Sequence, residues 1–187
     1  MSPSLDKDKH YTYADYTTWD DGNRYELMDG VLYVMEPGAT IPHQDASSEL
    51  HGQLWAFLRD KPWKVYHPPC DVCLNADGDN DNTVVQPDLF VVCDLTKLDG
   101  KRCNGAPDFV IEILSLSSVK RDMLIKFNVY IRAGVREYWI VDLEEKIVRV
   151  CLLKDGKYET TDYIQPDSIN VSVLDGCEID MSRVFDS

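Results

Sequence analysis

The chain has 187 residues, of which 44% are apolar and 28% charged, and its formal net charge is −14. Because the chain is so acidic, we do not expect a general electrostatic attraction between the protein and nucleic acid or anionic membranes. No apolar stretch approaches the length of a bilayer span, and the first residues lack the basic-then-apolar order of a signal peptide. We therefore expect a cytoplasmic protein with no membrane partner.

The length is sufficient for one domain with a sizeable core. We predict a single domain over residues 1–187, with its core at about 24–153 and a β extension at 154–187. No internal repeat or linker is evident in the sequence. The alternation of strand-like and helix-like segments predicts an α/β or α+β fold.

The N-terminal part predicts two helices around a hairpin. Residues 11–19, rich in aromatic side chains, predict a short helix that covers the core. Asp29-Gly30 separates two alternating apolar runs, which is typical of a β-hairpin because both turn residues need positive φ. A longer helix is predicted from Pro42 to about Leu58, since proline suits a first helical turn.

The middle of the chain predicts strands on either side of an acidic loop. Residues 65–74 predict a strand interrupted by two prolines, and residues 84–93 predict the next strand. The turn-rich loop at 75–82 lacks the closing Glu and the flanking helices of a calcium-binding loop, although a metal site there is kept as an alternative. Residues 107–114 are apolar on both faces and predict a central strand.

The C-terminal part predicts one helix and several hairpin strands. Residues 121–133 predict a helix that ends at Gly134. Residues 137–142 and 146–153 predict paired strands, and Asp155-Gly156 a further turn. Residues 169–185 predict a small appended hairpin or strand.

The six cysteines are predicted to be reduced thiols, because several of them lie inside strand-like runs. Cys70 and Cys73 form the only close pair. One such pair, without a second pair or a nearby pair of histidines, is a weak signal for zinc.

Two carboxylates fall on runs that predict buried strands, where an unpaired charge is costly. Asp88 begins one run and Glu112 interrupts another, so a shared partner is expected. On neighbouring strands the two carboxylates converge, and Gln86 shares a face with Asp88. Together with the Ile113 carbonyl they form an oxygen site suited to Mg²⁺ or Mn²⁺. Such a site polarises a phosphate and lowers the pKa of a bound water.

The order of hairpin, helix, two acidic strands and helix resembles the core of the PD-(D/E)XK nuclease superfamily. Pro87-Asp88 matches the first half of its motif, and Glu112-Ile113-Leu114 matches the second half with Leu114 in the position of the usual lysine. More closely, the chain resembles the Uma-two family of restriction endonuclease-like proteins over roughly residues 24–153. The matching segments, specific through their order and spacing, are Tyr25-Glu-Leu-Met-Asp-Gly30, His43-Gln44, Val85-Gln-Pro-Asp88, Gly105-Ala-Pro-Asp108, Val110-Ile-Glu-Ile-Leu-Ser115 and Ala133-Gly-Val-Arg-Glu-Tyr-Trp-Ile-Val-Asp142. The resemblance implies a restriction-endonuclease-like core, in which helices flank a central mixed β-sheet with additional β-hairpins.

The resemblance also implies a substitute for the missing lysine, and Lys126 is the candidate. Asp122, Lys126 and Tyr130 are four residues apart on the predicted helix and share one stripe. From there Lys126 reaches back over the sheet edge to orient the attacking water or to stabilise charge on phosphorus. The alternative is a surface ion pair between Asp122 and Lys126.

Further candidates follow from the same resemblance. Glu26 supplies a third carboxylate, or else is a strand-end residue paired with Arg24. His43 and Gln44 face the site from the start of their helix, or else serve to cap it. Asp108 replaces Asp88 if the strand register differs, and otherwise is a turn residue.

The resulting hypothesis is a Mg²⁺- or Mn²⁺-dependent endonuclease that acts on DNA with Asp88, Glu112, Lys126 and Glu26. The alternative is a catalytically silent nuclease-like fold used for binding or assembly, which Leu114 and the net charge of −14 favour. Apolar residues around Trp139 and in the terminal hairpin predict a homodimer or higher oligomer. Basic residues that follow Glu112 form either a local basic strip or a solvated helix face: Lys120, Arg121, Lys126, Arg132 and Arg136.

Overall fold

The computed structural model describes residues 2–3, 9–35, 39–114 and 120–186, with only the backbone of residues 120–123. The predicted loop and helix start at 115–120 thus lies largely outside the described residues. The helices are Tyr13–Tyr16 (α1), Ile41–Leu58 (α2), Lys120–Ala133 (α3) and Met181–Phe185 (α4). The strands are Tyr25–Met28 (β1), Val31–Val34 (β2), Lys64–Tyr66 (β3), Val72–Cys73 (β4), Val84–Val85 (β5), Leu89–Val92 (β6), Cys103–Asn104 (β7), Phe109–Ile113 (β8), Glu137–Asp142 (β9), Ile147–Lys154 (β10), Lys157–Ile164 (β11), Ser168–Asn170 (β12) and Glu178–Asp180 (β13).

A six-stranded mixed sheet forms the centre of the fold, in the order β11-β10-β9-β8-β6-β3. Strands β8 and β9 are parallel, and the other neighbours are antiparallel. The prediction of a central strand at 107–114 is confirmed, because β8 lies between β6 and β9 and its first three residues are fully buried.

Two helices cover the opposite faces of this sheet. Along β8, Phe109 and Ile111 face the core cluster that contains the buried stripe of α2, whereas Val110 faces the cluster that contains Val129 and Tyr130 of α3. This alternation follows from the two-residue period of a strand. Glu112, two residues after Val110, therefore projects towards α3.

A second sheet carries the predicted N-terminal hairpin. Its order is β2-β1-β5-β4-β7. Asp29 and Gly30 have φ values of 53° and 80°, so the turn between β1 and β2 is of the type that the sequence predicts.

Two predicted strands are each divided between the two sheets, one of them at the interruption that its two prolines predict. Residues 84–93 form β5 in one sheet and β6 in the other, and residues 65–74 are divided in the same way into β3 and β4. Pro87 lies in the first connection and has no N–H for a ladder hydrogen bond. The predicted common face of Gln86 and Asp88 is therefore wrong, since both residues lie in a connection between strands.

The C-terminal segment contains a helix that the sequence analysis did not predict. Strands β12 and β13 form the expected small hairpin, and α4 follows it directly. The Asp180 side chain accepts a hydrogen bond from the Ser182 N–H and so caps α4. Met181 and Val184 are buried in the core on the α2 side of the central sheet.

The six cysteines are free thiols, and four of them are buried. The prediction of reduced cysteines is confirmed in this respect. In the part of the chain that the structure describes, no helix combines the length and apolar character needed to cross a membrane.

Candidate active site

Glu112 of β8 meets two side chains of α3. The Lys126 Nζ lies 2.9 Å from Glu112 Oε1, and the Tyr130 hydroxyl donates to the same oxygen at 2.6 Å. Lys126 and Tyr130 are four residues apart on one helical stripe, so both point at the same strand. The position four residues earlier is Asp122, whose side chain lies outside the described residues.

Lys126 also joins the two sheets. Its Nζ lies 3.0 Å from Glu26 Oε1 on β1, and that oxygen accepts a further hydrogen bond of 2.9 Å from the Gln86 N–H. The Lys126 side chain is only 15% exposed, which excludes the alternative of a solvated surface pair. The alternative partner of Glu26 is also wrong, because Arg24 bonds the Gln86 side chain instead.

Asp88 is held by its own contacts, with His43 and with the backbone N–H of Ile113. Its Oδ2 lies 3.2 Å from Nε2 of His43 and accepts a 2.8 Å hydrogen bond from the Ile113 N–H. His43 is buried at the first turn of α2, where its N–H is also capped by the Thr40 hydroxyl. Gln44, one residue later, is exposed and its side chain makes no hydrogen bond with these groups.

The structure thus brings together five of the predicted side chains, a set that we call the acidic cluster: Glu26, His43, Asp88, Glu112 and Lys126. Gln86 reaches it through its backbone N–H alone. Tyr130 had no predicted role, although its four-residue spacing from Lys126 was a signal in the sequence.

The electrostatics of the acidic cluster favour an additional cation. The Lys126 ammonium contacts two carboxylates, Glu112 and Glu26, and Asp88 lies near enough to Glu112 to repel it, so the carboxylates outnumber the ammonium. Burial raises the pKa of Glu112 to about 7, Lys126 opposes this rise, and repulsion from Asp88 and Glu26 adds to it. Burial of Lys126 lowers its pKa, but Glu112 and Glu26 outweigh that effect and hold the pKa above its ordinary value. Lys126 therefore stays an ammonium ion.

The pKa values of the two hydrogen-bond partners of the carboxylates are shifted as well. The hydrogen bond to Asp88 raises the pKa of His43, against the opposing effect of its burial. The His43 Nδ1 is buried and has no hydrogen-bond partner among the described residues. Burial and the neighbouring carboxylates raise the pKa of Tyr130 far above its ordinary value, so its hydroxyl remains a donor to Glu112.

The acidic cluster contains oxygen donors of the type that a small divalent cation prefers. Asp88 Oδ1 and Glu112 Oε2 accept no hydrogen bond from the described residues, whereas the other oxygen of each carboxylate is held in place. Carboxylate oxygens are the preferred ligands of Mg²⁺ and Mn²⁺. Within the described ranges, no three His, Cys, Asp or Glu side chains are grouped to hold a metal ion. A site in this cluster would thus consist of two carboxylates, a backbone carbonyl and water.

Acidic residues outside the acidic cluster form hydrogen bonds that stabilise the fold. In the acidic loop, the buried Asp81 accepts hydrogen bonds from the backbone N–H groups of Asn75 and Thr83. Asp108, interpreted from the sequence as a turn residue or a substitute for Asp88, accepts a hydrogen bond of 2.7 Å from the Cys93 N–H and pairs with Arg136, outside the acidic cluster.

The predicted basic strip does not form among the described side chains. Lys126 lies inside the acidic cluster, Arg132 pairs with Asp29, and Arg136 pairs with Asp108. The side chains of Lys120 and Arg121 lie outside the described residues.

The mixed central sheet, its covering helices and the position of the acidic cluster agree with the fold class that the sequence resemblance implies. A family model named Uma2, with the description "Putative restriction endonuclease", matches residues 13–182, and the chain belongs to this family. The fold is similar to a crystal structure of a "putative nuclease belonging to DUF820" from Anabaena variabilis ATCC 29413, with a TM-score of 0.74 and 18% identity over 94% of this chain and 97% of that one. No curated protein shows significant similarity to the chain. The predicted family and fold class are confirmed.

Proposed function

We propose that the protein is a metal-dependent endonuclease that hydrolyses DNA phosphodiester bonds. The observation that carries this proposal is the Lys126 ammonium, largely shielded from solvent and shared by Glu112 and Glu26 in the same cluster as Asp88. Membership of the Uma2 family supports a nuclease-like activity with DNA as substrate.

The acidic cluster supplies the elements that phosphodiester hydrolysis needs. Asp88, Glu112 and the Ile113 carbonyl would hold Mg²⁺ or Mn²⁺, which would neutralise charge on the phosphate and lower the pKa of a water molecule. Lys126 places its ammonium beside Glu112, although Leu114 occupies the usual lysine position of the motif. A fixed cation at this place stabilises the negative charge that develops on phosphorus in the transition state.

The remaining residues position these groups. His43 and the Ile113 N–H hold Oδ2 of Asp88, and Tyr130 holds Oε1 of Glu112. Because one oxygen of each carboxylate is fixed in this way, the orientation of the other oxygen is fixed as well. Glu26 holds the other side of the Lys126 ammonium. These contacts cost no reorganisation when a substrate binds, which is the condition for electrostatic catalysis.

A nicking assay on supercoiled plasmid DNA tests the proposal. We expect cleavage with Mg²⁺ or Mn²⁺, none with EDTA, and a loss on the order of 100-fold or more in Asp88→Asn and in Lys126→Met. Asp108→Asn is the matched control, because Asp108 also follows a proline and is also hydrogen-bonded, but it lies outside the acidic cluster. Wild-type cleavage in both cluster variants, with melting temperatures showing that they are folded, would contradict the proposal.

A second candidate function is a catalytically silent module for binding or assembly. It is favoured by Leu114 and by the position of Lys126, whose charge is already shared by two carboxylates. Absence of cleavage on single-stranded, double-stranded and supercoiled DNA, together with absence of Mn²⁺ binding, would support it. The homo-oligomer expected from the sequence is likewise a proposal, and sedimentation equilibrium of the purified chain tests it.

A further inference from the structure

A pocket of about 330 Å³ lies beside the second sheet, outside the acidic cluster. Its lining includes Tyr16, Trp19 and Tyr25, with Arg24 and Asp71 as the charged groups. The Trp19 ring centre lies 5.6 Å from that of Tyr16 and 5.3 Å from that of Tyr25. The volume is at the lower end of the range of ligand pockets, about 300–1,000 Å³, and therefore suits one small flat unit.

Gln86 connects this pocket to the acidic cluster. Its N–H donates to Glu26, whereas its side-chain amide donates to Asp71 at 2.8 Å and to the Tyr16 hydroxyl at 3.0 Å. The amide oxygen of Gln86 accepts from the Arg24 guanidinium. Arg24 immediately precedes β1, and residues two apart on a strand share a face, so Arg24 and Glu26 point to the same side.

Arg24 is an available cation in a strongly acidic chain. Its side chain is exposed, and no carboxylate of the described residues lies within ion-pair distance of it. Its described hydrogen bonds go to the neutral Gln86 amide, which holds the guanidinium in place without neutralising it. An arginine held in this way suits a phosphate, which it binds through two parallel N–H donors.

We propose that this pocket binds one unstacked nucleotide of the nucleic-acid strand that the acidic cluster cleaves. The base packs against the rings of Trp19 and Tyr16, which are inclined at 61° to each other. The adjoining phosphate binds Arg24, and Asp71 accepts a hydrogen bond from an amino group of the base. The strand then continues towards the acidic cluster. The inference rests on the proposed function and specifies its substrate, namely DNA with an unpaired nucleotide rather than an intact duplex.

Binding of a fluorescein-labelled single-stranded DNA oligonucleotide, measured by anisotropy in EDTA and low salt, tests this inference. We expect the wild-type protein to bind the single strand at least about tenfold more tightly than the matching duplex, and Trp19→Leu and Arg24→Gln each to weaken single-strand binding about tenfold. Trp55→Leu and Arg59→Gln are matched controls, because Trp55 is 52% exposed near the C-terminal end of α2 and the guanidinium of Arg59, the residue after the helix, lies 5.4 Å from its ring.

The assay separates this inference from the proposed function because EDTA removes any dependence on cleavage. If Asp88→Asn abolishes cleavage but keeps wild-type binding, both hold; if no variant cleaves DNA while Trp19 and Arg24 still determine binding, only the nuclease proposal fails. Equal affinity for single strand and duplex, or wild-type affinity in Arg24→Gln, would overturn the nucleotide pocket. Displacement of the oligonucleotide by an equal concentration of free deoxynucleoside monophosphate would also overturn it, since the pocket would then bind free nucleotides.

Discussion

Two glutamates on adjacent parallel strands, Glu137 and Glu112, have different surroundings. Glu137 begins β9 and is fully buried, and its carboxylate accepts hydrogen bonds from the Trp139 indole at 2.7 Å and the Val173 N–H at 2.9 Å. Glu112, on β8, instead meets the Lys126 ammonium in the presence of two further carboxylates. Glu137 therefore ties the C-terminal segment to the central sheet, whereas Glu112 belongs to a site with excess negative charge.

The comparison shows what separates a structural carboxylate from one that is suited to bind a cation. Burial raises the pKa of both glutamates. For Glu137 the N–H groups that donate to its carboxylate oppose this rise in pKa, and no neighbouring carboxylate of the described residues adds to the rise. For Glu112, Asp88 and Glu26 raise the pKa further, and an added cation would relieve that repulsion.

The largest expected difference is in DNA cleavage. Glu112→Gln is expected to lower the rate on the order of 100-fold or more, about 2.7 kcal/mol in the activation free energy, because it removes a charge from the acidic cluster. Glu137→Gln is expected to stay within about threefold of the wild type below its melting temperature, because its effect is on stability. Equal losses in both variants, measured by plasmid nicking, would remove the distinction between the two glutamates.

A difference in stability is expected when the partner of each glutamate is replaced. Lys126→Met leaves the three carboxylates of the acidic cluster without their cation and is expected to cost roughly 3–5 kcal/mol in the free energy of unfolding. Trp139→Phe removes a neutral donor and part of a ring from the other site and is expected to cost roughly 2–3 kcal/mol. Urea unfolding in EDTA gives both values. Added Mg²⁺ is expected to stabilise both variants, because both keep the carboxylates of the acidic cluster, and to stabilise Lys126→Met more, because its cluster has lost the competing ammonium. A gain in stability no larger in Lys126→Met than in Trp139→Phe would count against a cation site in the cluster.

The smallest expected effect is a pH dependence that comes from Glu137. Its pKa is raised in the folded state, so the folded protein holds this proton more tightly than the unfolded chain does. This contribution to stability is fully present below the ordinary pKa of about 4.5 and is lost as the pH rises through the raised value. Glu137→Gln is therefore expected to show a weaker fall in the free energy of unfolding above pH 4.5 than the wild type. Parallel stability curves for the two proteins in urea titrations would contradict this assignment.

Two residues of the acidic cluster could be predicted from local patterns, because Asp88 and Glu112 are charges at or within apolar runs. The resemblance to the family implied Lys126, Glu26 and His43. The helical period then placed Lys126 on one stripe with Tyr130. The pairing of Lys126 with Glu112 then needed only that α3 cover the face of β8 on which Glu112 lies.

The errors arose where the chain changes sheets. A run of apolar residues does not reveal that it crosses from one sheet to another, so the connection at Gln86–Asp88 was interpreted as part of a strand. For the same reason the sequence did not reveal the role of Gln86. Its backbone N–H donates to Glu26, whereas its side-chain amide donates to Asp71. Gln44 shows a further limit, because a motif match cannot tell which of two consecutive helical residues faces inward.

The most direct test of the central claim is a calorimetric titration of the protein with Mn²⁺. We expect the wild-type protein and both controls, Glu137→Gln and Asp108→Asn, to bind the ion with similar affinity. Asp88→Asn and Glu112→Gln are expected to lose at least about tenfold in affinity, since each removes one carboxylate from the site. Wild-type affinity in both cluster variants, or no binding by the wild type, would contradict the assignment of the acidic cluster as a metal-dependent active site.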